Sequence, residues 1–364
     1  MSNFWKNLPK PFVGLAPMDG ITDQPFRQIV QKYGNPGVIF TEFVNVEGLC
    51  HSIKRLLLPL WFDPAQHPIV AQLYGKTPEY FRQCAVLVCY LGFDGVDVNM
   101  GCPSKNVASG GAGAGLIKNP KLAVEIIEAV QQGVRDWANG ADLADCPDFS
   151  DKFIKAVKKL TLNYGDSQID SQNRQLLPVS VKTRLGYEEP ELETWIPALL
   201  ETQPVVLTIH GRTYRQTFTG RADWDLIGQV VGVAKKLNSK TLIIGNGDVD
   251  DYQHGVKLAK KYDLAGVLIG RAIQGNPFVF AKDQSFKKIN PQQKAQKLAK
   301  IALEHAQLYE QTFSQEKKYG FFPMRKHLAW YIKEIPQAKE VRRQLVGANS
   351  SQEVEQIFHQ FSLL

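Results

Sequence analysis

Cysteine is scarce in this chain: five residues in 364, at positions 50, 84, 89, 102 and 146, with no Cys-x-x-Cys pair. An odd and unpatterned set argues against a disulfide framework or a zinc site. Cys84 and Cys89 fall in an apolar helical pattern and read as buried packing. Long apolar runs are missing too. No stretch nears the roughly 20 consecutive apolar residues that cross a bilayer. The first twenty residues hold no uninterrupted apolar segment ahead of a small-residue cleavage site. Neither a membrane span nor a secretory leader is expected, so the cytoplasm is the default compartment. Charge balance is also lacking, but only locally. Of the net +7, residues 286–364 carry 13 Lys+Arg against 7 Asp+Glu, and the remainder carries 30 against 29. The surplus in the last fifth of the chain faces either solvent or a polyanion.

What is present is an alternation. Apolar, β-rich runs stand at Val13–Ala16, Val38–Phe43, Ile69–Leu73, Gly95–Asn99, Val179–Lys182, Val205–His210, Leu242–Gly245 and Gly266–Ile269. Helical patterns follow most of them, at Pro78–Leu91, Pro120–Trp137, Leu192–Glu201, Trp224–Leu237 and Asp251–Lys261. Apolar strands separated by amphipathic helices imply a parallel sheet covered on its faces. Eight of them predict an α/β fold, a (β/α)8 TIM barrel over residues 1–285. A polar stretch at about 138–177, with one helical segment at Phe149–Leu162, reads as an insertion away from the working face. Beyond 285 the pattern is helical throughout, with helices expected at Pro291–Phe313, Pro323–Ile335, Gln337–Leu345 and Ser351–Phe361. A small all-helical domain over 286–364 is therefore predicted.

The working face of such a barrel lies at the strand C-termini. The residues there are polar for strand ends: Met18 and Asp19, Glu42, Gln72, Asn99 with Cys102, Lys182 with Arg184, His210, Asn246 with Asp248, and Gly270 with Arg271. A barrel without chemistry has no need of them, and their convergence predicts an enzyme. Gly245-Asn246-Gly247-Asp248 and Gly270-Arg271 place glycines where the last two strands end, the usual phosphate position of the fold. Arg271 adds a bidentate clamp. Lys182 suits the pyrimidine edge of a flavin, where the reduced ring is anionic, and His210 suits a phosphate or ribityl group. Gln72 offers a donor and an acceptor, as an amide edge requires.

The stretch Asp97–Gly115, DVNMGCPSKNVASGGAGAG, reads as a buried strand that hands a thiol to a mobile glycine-rich loop. Cys102 sits there on a Gly-Cys-Pro turn. On residue types alone it is open to three roles: packing thiol, nucleophile or general acid.

These segments together closely resemble the tRNA-dihydrouridine synthase family. The matching stretches are APMDGITD at 16–23, VDVNMGCPS at 96–104, VKTRLG at 181–186, IHGRT at 209–213, ADW at 222–224, GNGDV at 245–249, LIGRAIQGNP at 268–277 and RKHLAWY at 325–331. The resemblance implies an FMN-bound barrel followed by a helical tRNA-binding domain, with NADPH as electron donor and a C5–C6 double bond of uridine as the target. By the same resemblance Cys102 is the proton donor to C5. FMN contacts carry over to Pro17, Met18, Asp19, Gln72, Lys182, His210, Asn246, Gly247, Asp248, Gly270 and Arg271. Asn99 matches a residue expected to touch the flipped uracil. Arg184, Arg325, Lys326 and His327 are assigned to the RNA substrate, and basic and aromatic side chains in the tail suit a polynucleotide. A monomer without metal or membrane is expected. Phe218 stands where the family often has tyrosine, and the insertion departs from the family core. The alternative reading is an FMN-dependent small-molecule oxidoreductase of the dihydropyrimidine or dihydroorotate type. A non-enzymatic RNA-binding protein is a second rival, and the polar rim argues against it.

Overall fold

The computed structural model describes residues 3–162, 174–283, 285–313, 320–333, 335 and 337–364. Eight parallel strands close into a barrel in chain order. They are β1 (Phe12–Leu15), β2 (Ile39–Asn45), β3 (Ile69–Tyr74), β4 (Gly95–Met100), β5 (Val179–Arg184), β6 (Val206–His210), β7 (Leu242–Asn246) and β8 (Gly266–Ile269). Seven of the eight expected strands have an end displaced, by one or two residues; Gly266–Ile269 is unshifted. The helices Pro78–Tyr90, Pro120–Ala138, Trp195–Glu201, Trp224–Lys236 and Tyr252–Lys261 stand where amphipathic patterns predict them. The expected start at Leu192 moves to Trp195. The insertion contributes the helix Asp151–Leu162, and its stretch 163–173 lies outside the described residues.

Side chains alternate across a strand, so residues two apart share a face. Phe12, Phe40, Val70, Val206, Ile244 and Leu268 form one buried apolar cluster inside the barrel. The short helix Phe4–Asn7 closes its floor, with the fully buried Trp5 ring 5.6 Å from Phe12 and 6.2 Å from Phe40. Two residues further along three of these strands the same face turns polar, at Gln72, Thr208 and Asn246. Register brings Asp97 beside both Gln72 and Ser180, and Lys182 beside both Asn99 and Thr208. The barrel is thus apolar at its floor and polar toward the strand C-termini.

The described residues fall into two compact units. The first is the barrel, with residues up to Thr22, Gly37–Val249 and Gln253–Gly270. The second comprises Asp23–Pro36, Asp250–Tyr252 and Arg271–Leu364. Its helices are Gln24–Gly34, Pro291–Phe313, Phe322–Tyr331, Ala338–Leu345 and Ser351–Gln360. They share one apolar core that includes Ile29, Leu298, Ala302, Tyr309, Leu328 and Phe358. The helix Gln24–Gly34 comes from the β1–β2 connection, so the second unit is not built from the chain's end alone. No helix of the described residues is long and apolar enough to cross a membrane.

Candidate active site

Cys102 follows β4 by two residues and is buried, as are the other four cysteines, none of which is in a disulfide. Its backbone N–H and that of Gly101 both donate to Asn99 Oδ1, at 2.9 and 3.0 Å. Arg184 secures the turn from the neighbouring strand: its Nε donates to Gly101 O at 2.8 Å, and its Nη1 to Thr213 O and Thr217 O, each at 2.9 Å. Burial pushes the Cys102 thiol above its ordinary pKa; a backbone N–H from Ser104 pulls the other way, and the Asp19 carboxylate adds to the rise. A thiol so placed keeps its proton at neutral pH, which suits an acid rather than a nucleophile.

The glycine-rich run beyond it departs from expectation. It is not an open loop: Lys105–Ser109 is helical, and Gly113–Lys118 forms a 3-10 turn whose first five residues are buried. Ala114 N–H donates to Cys102 O at 3.3 Å. A Cβ on Gly115 would come within 2.3 Å of Ala108 O, so glycine is required there for close approach of two backbones.

Lys182 points from β5 into the polar half of the barrel. Among the described residues its ammonium makes no hydrogen bond or ion pair. Burial, helped by the Arg184 charge, lowers its pKa to about 8, while Asp97 and Cys102 raise it. It therefore remains largely a cation at neutral pH. On the adjacent strand the Thr208 hydroxyl is buried without a partner among the described residues. An uncommitted cation beside an orphaned hydroxyl is the chemistry of a site built for an acceptor-rich ligand. These residues fit a flavin ring edge.

At β6 and β7 the rim is knitted together by a residue the sequence reading overlooked. Arg212, 1% exposed, donates to His210 Nε2 at 3.1 Å and to Gly220 O at 2.7 Å, and its Nη2 pairs with Asp248 at 2.6 Å. Donation to Nε2 leaves His210 its proton on Nδ1. Asn246 Nδ2 donates to Leu268 O at 3.0 Å, and Trp224 Nε1 to Gly247 O at 3.1 Å. Gly247 has φ +120, and a Cβ there would meet Ala222 at 2.7 Å and His210 Cδ2 at 3.0 Å. Beyond β1, Thr22 holds both the N–H and the carbonyl of Met18, and Gly20 N–H donates to Glu42 at 2.6 Å.

The barrel unit thus carries Pro17, Met18, Asp19, Gln72, Asn99, Cys102, Lys182, Arg184, His210, Asn246, Gly247, Asp248 and Gly270 on its strand ends and the loops after them. Arg184 is buried with its guanidinium on backbone carbonyls, so it braces the Cys102 turn instead of reaching outward for RNA. Phe218, 55% exposed, has the Arg184 guanidinium 6.0 Å from its ring. Arg271, Arg325, Lys326 and His327 belong to the second unit. Arg325 donates to Ala348 O and Asn349 Oδ1 at 2.9 and 2.7 Å. His327 is 1% exposed, its ring packed among Phe26, His305 and Trp330 at centroid distances of 5.2, 4.9 and 5.0 Å. That burial removes it as a surface contact for RNA. Of the overlooked residues, Asp97 and Ser180 had a signal: each lies two positions before a residue already assigned to the rim, on the same strand face; Arg212, in the loop after β6, had none.

A family model described as dihydrouridine synthase matches residues 14–139 and 138–363. A Staphylococcus aureus (strain Mu50) protein named probable tRNA-dihydrouridine synthase is 34% identical over 362 residues, covering 99% of this chain and 95% of that protein. Probable tRNA-dihydrouridine synthase 2 of Bacillus subtilis (strain 168) is 34% identical over 365 residues, covering 99% and 96%. Among solved structures, DHODH in complex with ferulenol from Eimeria tenella is similar at 12% identity and a TM-score of 0.46, over 72% of this chain and 76% of that one. By the family model and by relatives matched over almost their whole length, the chain belongs to the dihydrouridine synthase family.

Proposed function

We propose that this chain reduces a uridine of tRNA to 5,6-dihydrouridine, with FMN held in the polar half of the barrel, NADPH as reductant and Cys102 as the acid. The observation that carries the reading is the buried thiol of Cys102 on a turn held by Asn99 and Arg184 just beyond β4, the strand paired with the one that carries the uncommitted Lys182. FMN, when bound, supplies the hydride. The protein's own share is to hold, orient and protonate. Lys182 places positive charge where the reduced ring is anionic, and His210 keeps the phosphate or ribityl assignment. Pro17, Met18, Asp19, Gln72, Asn246, Gly247 and Asp248 complete the FMN assignment, and Gly270 with Arg271 keeps the phosphate end. Cys102 holds the proton destined for C5 of the base, with its turn fixed by Asn99 and Arg184. A base inside a folded tRNA must leave its stack to reach such a site. The basic surplus of the second unit, including Arg325 and Lys326, supports a polyanion as the carrier of that base. The names of the relatives support tRNA over a free pyrimidine, and a tRNA substrate would place the protein in the cytoplasm.

The test is direct. Purified protein should carry flavin absorbance, oxidise NADPH and form dihydrouridine in unmodified tRNA, with tRNA binding that weakens steeply with salt. Cys102→Ala should keep its flavin and its NADPH oxidation while losing about 10²–10⁴-fold in uridine reduction. A Cys102→Ala protein that reduces tRNA at the original rate would refute the acid assignment. Turnover of a free pyrimidine, indifferent to salt, would favour the small-molecule reading.

A further inference from the structure

A chain of side-chain hydrogen bonds runs across three strands under the Cys102 turn. Ser180 Oγ donates to Asp97 Oδ1 at 2.5 Å, and Gln72 Nε2 donates to Asp97 Oδ2 at 2.7 Å. Asn99 Nδ2 donates to Gln72 Oε1 at 2.9 Å, and Asn99 Oδ1 accepts the backbone N–H groups of Gly101 and Cys102. Asp97, Gln72, Asn99 and Ser180 are all buried.

Amide side chains have a direction, and each can be reversed by half a turn. An ionised carboxylate has none, because it only accepts. Asp97 therefore sets the sense of the whole chain: the NH2 of Gln72 must face it, the Gln72 carbonyl must face Asn99, and the Asn99 carbonyl must face the turn. We propose that Asp97 is a positioning residue for Cys102, acting through the amides of Gln72 and Asn99 to hold the Gly101 and Cys102 N–H groups in one arrangement. Burial raises the Asp97 pKa to about 6, against the pull of Ser180, Gln72 and the Lys182 charge, so it is still mainly a carboxylate at neutral pH. One consequence concerns the base. With both lone pairs of Oδ1 and one N–H spent, Asn99 has a single N–H left to offer. It can read a uracil carbonyl and cannot accept from the ring N3–H. The inference rests on the reading of Cys102 as the proton donor only for its meaning in catalysis. The positioning itself is a property of the folded chain.

The experiment exploits polarity. In Asp97→Asn the Ser180 hydroxyl keeps a close acceptor only if the amide oxygen faces it, because its other acceptor, Val96 O, is 3.5 Å away; the NH2 group then faces Gln72. In that orientation Gln72 reverses, which sets two NH2 groups against each other at Asn99. In the double variant Asp97→Asn with Gln72→Glu, a carboxylate at 72 accepts from both neighbours and the original sense returns. Ser180→Ala removes one bond and leaves the direction intact. Hydrogen exchange at the Gly101 and Cys102 amides and iodoacetamide alkylation of Cys102, both read on the full chain by mass spectrometry, report the turn without substrate.

Asp97→Asn should accelerate both by about tenfold, the scale of one lost buried hydrogen bond. Ser180→Ala should stay within about twofold, and the double variant should return to within about threefold of the original. Unchanged exchange in Asp97→Asn, or an equal effect from Ser180→Ala, would overturn the proposal. If Asp97→Asn does not yield soluble protein, a soluble double variant supports the proposal and an insoluble one overturns it. The unsubstituted protein failing to form dihydrouridine would sink the functional reading and leave the exchange result standing. Normal tRNA reduction with unaltered exchange would sink only the positioning role.

Discussion

Arg184 and Arg212 in the barrel and His305 and His327 in the helical unit are all essentially inaccessible to solvent, yet they are housed in opposite ways. Each arginine spends its donors on named acceptors: backbone carbonyls of Gly101, Thr213 and Thr217 for Arg184, and His210, Gly220 and Asp248 for Arg212. His305 has one weak partner, Tyr331, 3.4 Å from its Nδ1. Its Nε2 and both nitrogens of His327 have none among the described residues. The barrel buries polarity to hold other groups in place. The helical unit buries two imidazoles as ring-shaped filler among aromatic neighbours. Removing a polar group should therefore be costly in the first region and nearly harmless in the second.

The largest expected effect tests the first half of that contrast. Arg184→Met leaves the Gly101, Thr213 and Thr217 carbonyls buried without their donor and should lower unfolding free energy by about 3 kcal/mol or more. Denaturant titration measures it, and a loss below about 1 kcal/mol would show that water or other groups replace the guanidinium.

Next in size is an acid instability confined to the helical unit. Burial lowers His305 to about 3 and pushes His327 well below its usual value. Their stabilising contribution is present above the unfolded pKa near 6.5 and is lost as pH falls below it. Asp23 works the other way. Burial raises it to about 6, against its bond to Phe26 N–H and the charges of Arg27 and Lys326, so it takes up a proton in the folded state. Between about pH 6 and pH 4 the unfolded chain binds two more protons at the histidines and one fewer at Asp23. The net for this unit is one proton, or about 1.4 kcal/mol lost per pH unit. Hydrogen exchange in the helices Pro291–Phe313 and Phe322–Tyr331 across that range checks it for the unit itself, since Asp97 in the barrel, also raised to about 6, offsets that proton in unfolding of the whole chain; a flat exchange profile would contradict it.

The smallest expected effect belongs to His327→Phe. Two ring nitrogens without partners are exchanged for carbon, so stability at pH 7.5 should change by no more than about 1 kcal/mol. The acid slope should nearly vanish, because the remaining histidine and Asp23 cancel. A loss of several kcal/mol at pH 7.5 would mean that His327 makes a bond in solution that sets it apart from filler.

Legibility in the sequence followed the same division. Strands such as Val206–His210 and Leu242–Asn246 run apolar on both faces at their start, and that is plain from residue types. The rim was readable because polar residues at strand ends break an apolar run. Asp97 was harder: it sits inside a strand, and only its two-residue spacing from Asn99 reveals that it faces the same interior. Arg212 was hidden in a loop, where no periodicity points a side chain. The glycine-rich run misled, since glycine serves close packing as well as freedom, and sequence cannot tell these apart. His327 was misjudged for a reason that was visible. Met324, His327, Leu328 and Tyr331 are the buried residues of their helix, at spacings of three, four and seven. Reading RKH as a basic cluster weighed charge over that stripe.

The Trp5 plug carries a kinetic meaning. With the floor sealed by Trp5, Phe12 and Phe40 among the described residues, traffic into the polar half of the barrel would enter at the strand C-termini. A nicotinamide and a flipped base would then compete for the same entrance, each having to depart before the other arrives. Under the proposed function, initial rates at varied NADPH and tRNA should trace parallel double-reciprocal lines, the pattern of two visitors who never meet.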